Sequence, residues 1–238
     1  KAARVVLAGQ GRPVFDFGAR RAQGADAALK AARTCWLAGG VGTSNVLAGR
    51  LHGIPVLGTM AHSYIQAHDR EADAFERFAG LYPGTTLLVD TYDTLSGVRR
   101  VIELADRLGE RFRVGAIRLD SGDLLTQAGD VRKLLDSLGA VNTRIIVTSD
   151  LDEFQIAALR SAPVDGYGVG TSLVTGSGHP TCGFVYKLVA RASSEAPDAP
   201  LVPMAKKSTN KVSVGGRKFA LRRMDERGHA EAEVIGIG

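Results

Sequence analysis

Hydrophobic and polar positions along the chain repeat one layout five times. A β-rich apolar run ends in polar or small residues at Pro55–Ser63, Thr86–Asp93, Ile117–Asp123, Arg144–Asp150 and Gly166–Thr171. Between these runs the apolar positions change to a helical spacing. Leu95, Val98, Ile102, Ala105 and Leu108 mark one helical face, and Val131, Leu134, Leu135 and Leu138 mark another. The alanine-rich Ala25–Ala38 favours helix, Val46–Leu51 makes a short one, and a further helix runs from His62 to about Phe78. Arg12–Gly24 opens as a short strand, and Ile54–Gly58 is another. Strands alternating with helices at this spacing predict an α/β fold with parallel pairing. Parallel pairing gathers the polar strand ends on one face of a sheet or barrel, where α/β enzymes carry their active sites.

Beyond Gly178 the pattern changes. Phe184–Ala190, Leu201–Met204 and Phe219–Arg223 read as antiparallel strands, separated by the Ser/Pro-rich Ala192–Pro200 and the basic Lys206–Lys218. The expected organisation is an α/β region over residues 1–178 that carries the site, followed by a β-rich segment over 179–238.

Composition narrows the class of partner. The chain has 238 residues, 45% of them hydrophobic, enough to bury a sizeable core. Thirty Lys and Arg against 25 Asp and Glu leave a net charge of +5, which suits an anionic ligand. Aromatics are 6% of the chain and none is interleaved with a basic stripe, so nucleic acid is not the expected partner. No apolar run reaches bilayer-spanning length, and Lys1–Gln10 lacks the uncharged core of a secretory signal, so the expectation is a cytoplasmic protein with no membrane partner. Cys35 and Cys182 stand far apart without a second thiol at metal-ligand spacing, and read as free buried thiols.

The candidate chemistry sits at the strand ends. Asp120-Ser-Gly-Asp123 follows the strand Val114–Leu119; a carboxylate there can accept from ribose hydroxyls or hold a metal bound to phosphate, while an Asx turn suits Asp123 better than Asp120. His62, with Ser63 beside it, lies on the first turn of a helix at another strand end, as a nucleophile or acid/base would; His68 reads as structural or surface. Asp90 lies near the rim, and Asp93 reads as a helix N-cap. Arg20 and Arg21 occupy a strand-to-helix turn, where a guanidinium either forks onto a carboxylate or phosphate or simply starts a solvated helix. Gly39–Asn45 is a glycine-rich turn with Thr43 and Ser44 as capping residues. Asp150 ends one late strand. Gly170-Thr171 ends the next, in a glycine turn whose amides suit a phosphate.

Taken together, FDFGARRAQG, GTSNVLAG, GTMAHSYIQAH, LVDTYDT, IRLDSGD, TSDLDE and GVGTSLVT resemble the nicotinate phosphoribosyltransferases, collinearly and across nearly the whole chain. The resemblance implies a type II phosphoribosyltransferase: an irregular, TIM-like α/β barrel joined to a smaller, sandwich-like β domain. It implies transfer of ribosyl 5-phosphate from phosphoribosyl pyrophosphate to nicotinate, with ATP hydrolysis coupled to it, Mg²⁺ on the leaving pyrophosphate, and a homodimer. His62 then matches the histidine phosphorylated from ATP and Ser63 a substrate-site residue. Arg118 and Arg20 match pocket arginines facing nicotinate, Asp120 the carboxylate near the ribose hydroxyls, Asp150 a further ribose-side carboxylate, and Gly170 with Thr171 the 5-phosphate turn. Metal ligands stay open. The nicotinamide-using relative and a non-catalytic binding module are the alternatives. Because the sequence opens just ahead of FDFGARR, an N-terminal portion of the family pattern is expected to be missing.

Overall fold

The apolar runs of the first region assemble into one six-stranded parallel sheet. The computed structural model describes residues 1–238, the side chain of Glu110 excepted, in two units, Lys1–Thr181 and Cys182–Gly238. The first unit runs α1 (Ala2–Ala8), β1 (Val14–Asp16), α2 (Ala25–Leu37), β2 (Gly42–Thr43), α3 (Val46–His52), α4 (His62–Gln66), α5 (Glu71–Leu81), β3 (Thr85–Leu88), α6 (Thr94–Leu108), β4 (Val114–Leu119), α7 (Leu124–Ser137), β5 (Arg144–Val147), α8 (Glu153–Ala158), β6 (Gly166–Val169) and α9 (Thr171–Val174).

Strand order is β2-β1-β6-β5-β4-β3, so the first strand pairs with the last. That cyclic order is the order of a barrel. The ladder nevertheless stays open between β2 and β3, and the closed barrel implied by the family pattern is not formed. The expected strand at Ile54–Gly58 contributes a single parallel bridge, Val56 to Thr43. Register along the sheet sets Asp16 opposite both Thr43 and Val169, and Leu119 opposite Val147. The residues just past these strands therefore emerge side by side.

Helices α6 and α7 cover the sheet with amphipathic faces. Val98, Val101, Ile102 and Leu104 of α6, and Ala128, Val131, Leu134 and Leu135 of α7, are buried. Leu95 and Leu138, read from spacing as part of those faces, are exposed: Leu95 is in the first turn of α6, and Leu138 lies just past the end of α7. Asp93 and Asp123 cap α6 and α7 by accepting from Ser96 and Thr126 amides, as expected for Asx residues before a helix.

Three local expectations need correction. The helix from His62 to Phe78 is two helices, α4 and α5, broken at Ala67–Arg70. The glycine-rich Gly39–Asn45 contains strand β2, and Asn45, not Thr43 or Ser44, caps α3 by accepting from the Ala48 amide. Cys182 is exposed, whereas Cys35 is buried; burial, with Asp16 nearby, pushes the Cys35 thiol up to about 12.

The second unit holds three two-stranded antiparallel ladders. They pair β7 (Ala190–Ala192) with β8 (Leu201–Pro203), β9 (Lys207–Ser208) with β10 (Lys211–Val212), and β11 (Lys218–Met224) with β12 (Ala230–Ile237). Phe184–Val189 forms no strand, contrary to its alternation, and the basic run contains the short β9–β10 hairpin. Strand β12 was not among the expected strands. Phe219, Leu221 and Ile235 remain largely exposed on their ribbon.

Candidate functional site

A pocket of about 590 Å³ opens at the C-terminal ends of the sheet strands. Of the residues expected from the sequence, Arg20, Arg118, Asp120, Asp150, Gly170 and Thr171 line it. They come from the C-terminal ends of four different strands or the turns that follow them, which is why no local motif could assemble them.

Asp16 holds one wall from behind. Its carboxylate is 1% exposed and accepts from the Gly18 amide (2.9 Å) and the Thr43 hydroxyl (2.7 Å), while its carbonyl accepts from the Ser44 amide (2.8 Å). Burial pushes the Asp16 carboxyl up; the bonds from Thr43 and Gly18 pull against that shift. This cradle orients the short turn Ala19–Arg21, from which Arg20 and Arg21 reach the pocket. Gly18 is required by close approach: a Cβ there would lie 2.1 Å from Val174 Cγ1 and 2.9 Å from the Gly170 carbonyl oxygen.

Arg118 is more enclosed than Arg20. Its side chain is 12% exposed; Nη1 donates to the Thr59 hydroxyl and to the Met60 carbonyl (3.4 Å), and Nη2 lies 3.7 Å from Asp120 Oδ1. Nε is buried without a hydrogen-bond partner. Burial lowers the Arg118 pKa, the Asp120 and Asp90 carboxylates raise it, and Arg20 lowers it.

Asp120 is the hub. The Thr148 hydroxyl donates to Oδ1, and Oδ2 faces His62 Nε2 at 3.4 Å. The other ring nitrogen of His62 lies 3.0 Å from the Thr91 hydroxyl. An ionised carboxylate only accepts, so protonated Nε2 with Nδ1 accepting from Thr91 satisfies both contacts. His62 is not part of the pocket lining; it meets the pocket through Asp120. Ser63 is exposed on the first turn of α4 and also stands outside the lining. His68 bonds the Tyr64 carbonyl oxygen at 2.8 Å, a structural contact.

Asp90, read from the sequence as lying near the rim, belongs to this network, whereas Phe17, Thr59 and Thr148 were not singled out. Asp90 Oδ2 accepts from the Asp120 amide (2.7 Å) and the Ser121 hydroxyl (2.9 Å), while Oδ1 is buried without a partner. Phe17 lines the pocket as an aromatic wall among polar groups. Alternation in FDF indicates that Phe15 and Phe17 share a side, and their rings do stack, 6.2 Å apart. Thr59 and Thr148 carried no local signal, since a threonine at a strand end is commonplace. Thr171 donates to Asp150 at 3.1 Å, tying two late strand ends together.

A parallel α/β sheet whose strand ends bring arginines, carboxylates and a glycine turn into one pocket can hold an anionic ligand. Residues 13–208 match the nicotinate phosphoribosyltransferase (NAPRTase) family model, and the chain belongs to that family. It is 56% identical over 227 residues to nicotinate phosphoribosyltransferase pncB2 of Mycobacterium tuberculosis, covering 94% of this chain and 47% of that protein. It is 41% identical over 243 residues to the Bacillus subtilis nicotinate phosphoribosyltransferase, covering 100% of this chain and 49% of that protein. The crystal structure of human nicotinic acid phosphoribosyltransferase superposes with a TM-score of 0.75 at 26% identity, over 99% of this chain and 54% of that one. The chain thus spans about half the length of the curated relatives it matches. No described helix is long and apolar enough to cross a membrane.

Proposed function

We propose that the protein joins nicotinate to the ribosyl 5-phosphate of phosphoribosyl pyrophosphate, in NAD salvage. The bond from ribose C1 to the pyrophosphate oxygen breaks, the pyridine nitrogen bonds to C1, and nicotinate mononucleotide and pyrophosphate leave. The observation that carries this reading is the convergence of Arg20, Arg118, Asp120 and the Gly170-Thr171 turn in one pocket, together with family membership.

The roles follow from chemistry. Arg20, exposed on the rim, meets the nicotinate carboxylate, and Arg118 supplies positive charge deeper in the pocket. Phe17 offers the face against which a planar pyridine ring packs. Asp120 accepts from the ribose hydroxyls and favours the positive charge that develops on the sugar as pyrophosphate departs. Asp150 adds a ribose-side acceptor, Ser63 joins the substrate shell, and the Gly170-Thr171 turn takes the 5-phosphate. His62 receives the γ-phosphoryl group of ATP on a ring nitrogen, ADP leaves, and water later cleaves the N–P bond.

Among the described residues no three His, Cys, Asp or Glu side chains converge to hold a metal. Asp150 would be the carboxylate to hold a Mg²⁺ there, and the ion would supply charge that neutralises the leaving pyrophosphate. An irregular barrel as the working form, with the chemistry in residues 1–178 and the β-rich 179–238 belonging to a smaller domain, is part of the same reading. So are homodimeric assembly, which rests on family membership, and a cytoplasmic location.

The test is mass-resolved detection of nicotinate mononucleotide after the protein is mixed with nicotinate, phosphoribosyl pyrophosphate, Mg²⁺ and ATP. Product that disappears with Asp120→Ala is expected. Preferential use of nicotinamide, or substrate binding with no product, would overturn the assignment.

A further inference from the structure

We infer that Thr148 is a positioning residue that sets the rotamer of Asp120 and so decides which of its oxygens faces His62. This rests on the reading of Asp120 as the carboxylate serving the ribose. Thr148 is buried at 4% exposure, immediately past β5, and its hydroxyl donates to Asp120 Oδ1. The alternative acceptor is weak. The Leu119 carbonyl lies 3.4 Å from the hydroxyl and already accepts from the Thr148 amide at 2.8 Å. The carboxylate is therefore the hydroxyl's main acceptor.

The torsion that turns a carboxylate about its own axis is broad, so a strand-end Asp is not oriented by its backbone alone. Two neighbours compete for Oδ1: the Thr148 hydroxyl, which bonds it, and Arg118 Nη2, which stands 3.7 Å away. While Thr148 holds Oδ1, Oδ2 is left facing His62 Nε2 at 3.4 Å. Without that hydroxyl the carboxylate is free to turn onto Arg118, which would close the arginine's charge to substrate and release the histidine.

The threonine is itself locked. A Cβ on residue 168 would lie 2.5 Å from Thr148 Cγ2, so Gly168 makes the space the methyl occupies, and the methyl wedge directs the hydroxyl toward Asp120. Backbone support is separate: Asp90 accepts from the Asp120 amide. Main chain and side chain of Asp120 are thus held from different strand ends.

Thr148→Val keeps the wedge and removes the donor. In the complete protein its kcat for nicotinate mononucleotide formation is expected to fall about tenfold to a hundredfold, the loss of one hydrogen bond to a charged group, with KM for nicotinate nearly unchanged. Thr148→Ser, which restores the donor, is expected to recover most of that rate. By calorimetric titration the valine substitution should weaken phosphoribosyl pyrophosphate binding in the otherwise wild-type protein, but by less than about twofold in an Asp120→Ala background, because the group it acts through is gone. Thr148→Cys serves as a second volume-conserving variant should the valine protein lose its thermal transition. Wild-type kcat in the valine protein, or an undiminished loss of affinity on top of Asp120→Ala, would overturn the positioning role alone. No product from the unmodified protein would overturn the functional reading and this inference with it.

Discussion

Replacing Gly18 by alanine tests how the two walls of the pocket are held together. Its backbone is helical (φ −84°, ψ −14°), so an alanine meets no torsional strain there. The obstacle is contact. The new methyl would stand 2.1 Å from Val174 Cγ1 and 2.9 Å from the Gly170 carbonyl oxygen. Val174 is β-branched and cannot swing freely, and a carbonyl cannot move without its chain. The Phe17–Arg21 turn and the Gly170–Thr171 turn must therefore separate by roughly half an ångström or more, at an overpacking cost of about 1–3 kcal/mol. Since Arg20 and Thr171 line the same pocket from these two turns, and the second turn is the one proposed to take the 5-phosphate, affinity for phosphoribosyl pyrophosphate is expected to fall about tenfold, equivalent to about 1.4 kcal/mol. Urea unfolding should give a lower midpoint at unchanged slope, and calorimetric titration the weaker affinity. Gly129→Ala in α7 is the matched control: nothing lies within 4 Å of a Cβ there, so it should be neutral or stabilising. An alanine at position 18 that leaves midpoint and affinity at wild-type values would refute the close-approach argument.

Other perturbations probe separate links. Glu153 is 10% exposed beside Lys1 and Arg4; burial alone would raise its pKa, but Lys1, its own amide and Arg4 outweigh that and hold it at about 2. A depressed carboxylate contributes its stability above its unfolded pKa of about 4.3 and loses it as pH falls toward 2, so wild type and Glu153→Gln should differ by on the order of 2 kcal/mol at pH 7 and converge in acid. Equal separation of their melting curves at pH 7 and pH 3 would contradict this. Ser149 has φ +98°, a region that favours glycine; Ser149→Gly should raise the melting temperature by relieving about 1 kcal/mol of strain, and a clear drop would count against strain at that turn. His62→Ala should abolish ATP stimulation while leaving weak uncoupled transfer; ATP dependence that survives the substitution would remove the phosphohistidine role.

The candidate site was legible wherever a residue stood at the end of an apolar run. Asp120, Asp150 and Thr171 were placed by that rule, and all three line the pocket. The rule does not report what a side chain touches. His62 followed the same pattern yet reaches the pocket only through Asp120, and Ser63, its neighbour, turns out to solvent. The rule also passes over Thr148 and Phe17, which are ordinary in sequence and acquire their significance from what other strand ends bring opposite them.

By itself, the amino-acid sequence determined the alternation of strand and helix, the parallel pairing it requires, the Asp caps of α6 and α7, and the family to which the chain belongs. These are properties of short-range periodicity, turn chemistry and collinear motifs, and they need no knowledge of long-range contacts. Only the tertiary structure decided the rest. It set the cyclic order that pairs β1 with β6, the open seam between β2 and β3, and the break between α4 and α5. It also brought the Thr148 hydroxyl to one oxygen of Asp120 and His62 to the other. Those contacts join residues 28 and 58 positions apart. Parallel register fixes such distances to within a hydrogen bond, whereas local pattern specifies only which face of a strand a side chain occupies.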